Sequence, residues 1–173
     1  MNPNIDESRQ ENEKPWDLVK RLALSKAQEI AKTVEKALII GSDQVATFNE
    51  QVIGKPLTHE EAVKQLSLFS GQKVIFYTGL CLLNTETKQH QTISEPFSVF
   101  FRLLSHQKIE NYLHIEQPYQ CAGSFKSEGL GICLFEKLEG NDPNSLIGLP
   151  LIQLINMLTK EGITVPLEKN TTH

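Results

Sequence analysis

The sequence predicts an α/β fold in one domain, and three observations carry that prediction. Pro15 to Thr33 repeats apolar residues at helical spacing. Leu38 to Val45, Val74 to Leu83 and Gln91 to Leu103 have the β-branched content or the alternation of strands. The chain has 173 residues, of which 39% are hydrophobic and 22% charged, an ordinary balance for one domain with a substantial core.

In chain order, Met1 to Lys14 is polar and acidic, without the apolar core of a signal peptide, and is expected to be mobile. Asp6-Glu7 within it reads first as solvated loop charge. Pro15 can open a helix because its missing N–H is not needed there. Leu18, Val19, Leu22, Ala23, Ala27 and Ile30 form the apolar stripe of that helix, and Lys26 falls in its middle. Such a lysine either snorkels to an edge or faces a compensating anion.

Leu38-Ile39-Ile40 running into Gly41-Ser42-Asp43 reads as a buried strand that delivers a carboxylate where it leaves the core. Asp43 is then either a turn residue bonded to its own backbone or a site residue held by a rigid element. After a polar excursion at Phe48 to Gln51, Gly54-Lys55-Pro56 precedes a helix from about His59 to Ser70. Thr58 and Glu61 have capping-box spacing, and Pro56 restricts Lys55 to extended geometry. Phe97, Val99, Phe101 and Leu103 are expected to share one apolar strand face. Ser105 can cap a helix through Ile115. Cys121 to Gly131 reads as a shaped loop, Ile132 to Leu138 as a strand, Asn141 to Gly148 as turn-rich, and Pro150 to Lys160 as a last helix. The expected division is a polar segment at 1–14, a domain at 15–166 and a frayed tail at 167–173.

A net charge of −4 disfavours a broad nucleic-acid surface, and no apolar run approaches membrane-spanning length. Three cysteines without CxxC spacing fit a reduced, cytoplasmic setting. The five histidines read as lacking any metal-ligand spacing. Cys121 with His114 suggests a thiol nucleophile, weighed against a spectator cysteine with no third orienting group.

Gly-Ser-Asp-Gln-Val (41–45), Gly-Lys-Pro-Leu (54–57), Phe-Tyr-Thr-Gly-Leu (76–80), Cys-Ala-Gly-Ser-Phe-Lys-Ser-Glu-Gly (121–129) and Asn-Ser-Leu-Ile-Gly-Leu-Pro-Leu (144–151) together resemble the Maf family of nucleoside triphosphate pyrophosphatases. The likeness is greatest to the branch associated with 7-methyl-GTP and runs from about Asp6 to Gly162. It implies a mixed twisted sheet with flanking helices, in two lobes around a cleft. It also implies hydrolysis of the α–β phosphate bond, a divalent metal (magnesium or manganese) and possible homodimers. By the same resemblance Asp43 is the catalytic acid residue, serving as base and as a metal ligand. Glu7 is a second metal-side carboxylate, Lys26 and Lys55 bind the phosphates, and Gln44 and Glu128 read the base.

The hydrogen-bond inventory agrees for Glu128, since one carboxylate can accept both neighbouring donors of a guanine edge. A cationic 7-methylguanine would also stack on an aromatic such as Phe125, unless that ring belongs to the core. The family's opening strand and Ser-x-Ser-x-x-Arg-Arg phosphate loop have no counterpart in Met1 to Ile5. A chain without them is expected to turn over nucleotides more slowly, and the alternative reading is a non-catalytic nucleotide-binding or interaction protein.

Overall fold

The structure, a computed structural model, describes residues 3–166. The tail from Leu167 lies outside the described residues.

The helix expected from Pro15 forms as α1, Pro15–Ala31. Leu18, Val19, Leu22, Ala23 and Ala27 are buried in it as the stripe requires. Each large apolar side chain of this kind contributes about 1.5–3 kcal/mol on burial. The exposed Lys20–Asp17 pair on the same helix is worth about 0–1 kcal/mol. Burial therefore decides how α1 lies.

Five strands follow: β1 (Leu38–Phe48), β2 (Gln51–Ile53), β3 (Lys73–Asn84), β4 (His90–Phe101) and β5 (Phe135–Gly140). Their order across the sheet is β2-β1-β3-β4-β5, and every neighbouring pair is antiparallel. The expected mixed α/β arrangement is thus built on a wholly antiparallel sheet. The polar excursion after Phe48 is a tight hairpin, with Asn49 and Glu50 at φ 50° and 64°. Positive φ at both turn residues matches the twist of the flanking strands.

Four sequence expectations need correction here. Asp43 sits in the middle of β1, opposite Gly79, and not at the strand's end. Ile40 is 46% exposed, so the apolar run is not buried on both faces. Strand β5 begins at Phe135 because residues 130–134 coil into a 3-10 segment first. Leu103, placed on the apolar face by alternation, is 87% exposed because β4 ends at Phe101. Alternation cannot show where the backbone leaves the sheet.

Helix α1 covers one face, packing Ala23 and Ala27 on Ile39, Cys81 and Leu83. The other face carries two groups of elements. At one end, α5 (Leu151–Lys160) lays Leu154 and Met157 on Leu80 and Leu82. At the other end, α2 (His59–Phe69) and α3 (His106–Glu116) enclose Val74, Phe76, Phe97, Val99 and Phe101. Thr58 caps α2 through the Glu61 N–H at 3.2 Å, and Ser105 caps α3 through the Lys108 N–H at 3.3 Å. Between the two groups, the one-turn α4 (Asn144–Ile147) crosses the sheet.

The backbone of α1 approaches the sheet closely. A Cβ on Gly79 would lie 2.1 Å from the Val19 carbonyl oxygen, and one on Gly41 would lie 2.1 Å from that of Ala23. Both obstacles are helix backbone, so no side chain can rotate away. Gly79→Ala should therefore lower stability by about 1–3 kcal/mol or more. Gly54→Ala, which meets nothing within 4 Å, should stay within about 0.5 kcal/mol of the parent. Denaturant midpoints of both variants check this; equal values for Gly79→Ala and the parent would refute the close contact.

Candidate functional site

Because Gly41 and Gly79 bring α1 against the sheet, Lys26 reaches β1 directly. Its Nζ donates to Asp43 Oδ1 at 2.6 Å and pairs with Glu7 Oε1 at 3.0 Å. Lys26 and Asp43 retain 19% and 11% of their side-chain surface, whereas Glu7 keeps 56%. The alternative that Lys26 snorkels away does not hold, and Asp43 is no turn residue.

Burial pushes the Asp43 carboxyl above its usual range, although the neighbouring Lys26 and the charge of Lys55 pull it down. For Lys26, burial opposes the charge, but hydrogen bonds to Asp43 and Glu7 outweigh it and hold the ammonium above the ordinary lysine range.

The acidic segment before α1 is tied down. Arg21 forks onto Glu13 at 2.6 and 2.9 Å and donates to the Ser8 carbonyl at 2.9 Å. Those contacts carry Glu7 and Arg9 to the rim of a cleft of about 800 Å³. Lys26, Asp43, Gln44, Lys55 and Glu128 line the same cleft. The six residues that the family resemblance implied for the site, Glu7, Lys26, Asp43, Gln44, Lys55 and Glu128, therefore meet in one place. Arg9 was missed, and its only signal is a basic residue amid the acids of that segment. A second cavity of about 390 Å³, near Trp16 and Tyr77, has Glu50 as its one lining acid among the described residues.

The other wall of the cleft is fixed by polar ties to α4 and its C-terminal glycine. Gln44 Nε2 donates to Thr78 Oγ1, to the Ser145 carbonyl and, at 3.2 Å, to that of Leu146. Ser42 Oγ lies 2.6 Å from the Gly148 carbonyl. The Gln44 N–H groups are thus committed to protein, which leaves its Oε1 for any ligand. Asp142, fully buried, accepts from the backbone N–H groups of Asn144 and Ile152 and so sets the path from α4 into α5.

Glu128 is exposed on the loop after α3, with Ser127 Oγ at 3.3 Å. Phe125 belongs to the core. It is enclosed by Phe76, Phe101 and Phe135 with ring centroids 5.2, 5.8 and 4.7 Å away, so its face is not offered for stacking.

The thiol hypothesis fails on geometry and charge. His114 stacks on His59 and faces Glu110, and no hydrogen bond joins it to Cys121 among the described residues. Burial raises the Cys121 thiol, away from the thiolate.

The second oxygens of Asp43 and Glu7 have no protein hydrogen-bond partner among the described residues. Two such hard oxygens facing a polar cleft fit a magnesium-like ion that keeps part of its water shell. A different donor group, His59, Glu110 and His114, lies outside this cleft, with ligand atoms within 4.8 Å of one another. The four-residue spacing from His106 to Glu110 to His114 was the overlooked sequence signal for it.

Lys26→Met keeps the aliphatic stem but strands Asp43 beside a lost cation. Leaving that charge unsatisfied should cost about 1–3 kcal/mol at neutral pH. Asp43's folded pKa lies above its unfolded value, so ionisation costs stability as pH rises through the unfolded value, and loss of Lys26 enlarges that cost. Thermal melts should show a larger deficit at about pH 7.5 than at about pH 4.5. A deficit independent of pH would mean that the pair does not couple.

The Maf-like protein family profile matches residues 1–161. Curated relatives named 7-methyl-GTP pyrophosphatase include one from Colwellia psychrerythraea, 55% identical over 168 residues, which cover 97% of this chain and 84% of the relative. Another, from Pseudoalteromonas translucida, is 56% identical over 99% of this chain and 85% of its own length. A third, from Aliivibrio fischeri, is 58% identical over 95% of this chain and 86% of its own length. The profile spans nearly the whole fold and every cleft residue described above, and the chain belongs to the Maf-like family.

Proposed function

We propose that this protein hydrolyses the α–β phosphate bond of a modified nucleoside triphosphate, with 7-methyl-GTP the favoured substrate, releasing the nucleoside monophosphate and diphosphate. The observation that carries the proposal is the convergence of Glu7, Lys26, Asp43, Lys55 and Glu128 on one cleft. The relatives' name points to the same chemistry.

Attack at the α-phosphorus needs a water that loses a proton and a cleft that tolerates polyphosphate charge. Asp43 is the base. Its free Oδ2 takes the proton, and burial has already moved its affinity for protons toward working pH. Lys26 holds Oδ1 and thereby orients the carboxylate, while its third N–H is left for a phosphate oxygen. Lys55, on an exposed segment restricted by Pro56, neutralises outer phosphate oxygens from the rim. A divalent magnesium-class ion held chiefly by Glu7, with Asp43 Oδ2 reserved for the proton, would relieve charge on the polyphosphate.

Gln44 braces the wall against which the nucleotide lies and offers only its oxygen. Glu128 accepts the paired donors of the guanine edge, and methylation at N7 adds positive charge that strengthens this contact.

Asp43→Asn keeps shape but removes basicity. With magnesium or manganese present, turnover of 7-methyl-GTP should fall at least about 10²-fold while nucleotide binding persists. Activity within a few-fold of the parent would sink the base assignment. A parent that binds the nucleotide without cleaving it would favour a binding protein.

Glu128→Gln retains size and loses charge, and turns an amide hydrogen toward a guanine donor. Specificity for 7-methyl-GTP and GTP should drop by about 1–3 kcal/mol, with UTP much less affected. The ratios of kcat/KM for the three nucleotides decide it: a uniform drop would assign Glu128 to the fold or the phosphates.

A further inference from the structure

On α2 and α3, at residues that do not line the cleft, imidazoles gather around a carboxylate. His106, Glu110 and His114 recur every four residues along α3 and so share a stripe. The first residue of α2, His59, is brought to the same stripe by helix packing. Its Nε2 lies 2.9 Å from Glu110 Oε2, and His114 Nε2 lies 3.5 Å from that same oxygen. His106 Nε2 stands 3.6 Å from the other oxygen, Oε1.

We propose that His59, Glu110 and His114 bind a zinc-class divalent transition-metal ion, separate from any ion in the nucleotide cleft. Ligand bonds of about 2.0–2.2 Å place tetrahedral ligand atoms about 3.3 Å apart. The separations of 2.9 and 3.5 Å bracket that spacing. His114 is largely exposed, so its ring can adjust without disturbing the core. The Tyr119 hydroxyl lies 3.0 Å from His59 Nδ1 and orients the ring so that Nε2 faces the carboxylate, as outer-shell partners of metal-bound histidines do. Three protein ligands leave a position for water or for His106.

Imidazole with one carboxylate suits zinc, nickel or copper and not magnesium, whereas the cleft pair Glu7 and Asp43 offers carboxylates. The two sites therefore select different ions. The ion joins α2 to α3, and Tyr119 extends the connection: its carbonyl accepts the Leu57 N–H at 2.9 Å, two residues beyond Lys55.

The test uses the full chain, free of any affinity tag and stripped with a chelator. It is titrated with zinc by calorimetry and with cobalt by visible absorption. One ion should bind per chain, with a tetrahedral cobalt spectrum and a raised Tm. His114→Ala and Glu110→Gln should each weaken zinc binding at least about tenfold. His90→Ala, an exposed histidine on β4, should leave it unchanged. Undiminished affinity in both cluster variants, or no saturable binding by the parent, would show histidine–carboxylate contacts only and overturn the site.

Discussion

The near-contact of the α1 backbone with β1 and β3 is the constraint from which the rest of the molecule follows. It requires hydrogen at Cα of Gly41 and Gly79, and small side chains at Ala23 and Ala27 on the helix. With any Cβ at either glycine the helix must lift away from the sheet. Lys26 would then lose its reach to Asp43, and the acidic segment docked on α1 through Arg21 would move with it. A packing requirement thus sets the electrostatics of the cleft.

The opposite face obeys the two-residue period of β3. Val74 and Phe76 pack into the α2–α3 group, Leu80 and Leu82 into α5, and Thr78 between them is polar. Thr78 Oγ1 donates to the Ser145 carbonyl at 2.8 Å and also receives the Gln44 amide. One buried polar rung between two apolar ones anchors α4 over the sheet and separates the two groups of helices. A hydroxyl so placed must be paired, because leaving it unpaired would cost about 1–3 kcal/mol.

Charge in the cleft is mixed, with Arg9, Lys26, Lys55 and Lys126 set against Glu7, Asp43 and Glu128, but its deepest ion pair is short of cations. Two carboxylates share one ammonium, and burial pushes Asp43 toward protonation. Such a site gains from an added cation and from a cationic or donor-rich ligand. The His59–Glu110–His114 group differs in kind. Its softer imidazole donors stand on packed helices beside an exposed surface, where an ion can exchange without entering the cleft.

Much of this was legible in the sequence, for local reasons. The α1 stripe, the Thr58 and Ser105 caps and the β3 and β4 alternation are written in spacing, and spacing is all that helix and strand periodicity needs. The motifs from Gly41 to Leu151 pointed to Asp43, Gln44, Lys55 and Glu128, and the place of Lys26 in the α1 stripe marked it separately. What the sequence could not reveal depends on contacts between distant segments. Asp43 looked like a strand end because Gly-Ser-Asp resembles a turn, yet β1 runs five residues further, paired with β3 as far as Thr47. Phe125 looked available for stacking until three other phenylalanines closed around it. The histidines looked unrelated because His59 and Glu110 are far apart in the chain and meet only when α2 packs on α3. Periodicity is a property of neighbours along the chain, whereas ion pairs, ligand sets and the burial of a ring are properties of neighbours in space, and only the tertiary structure decides those.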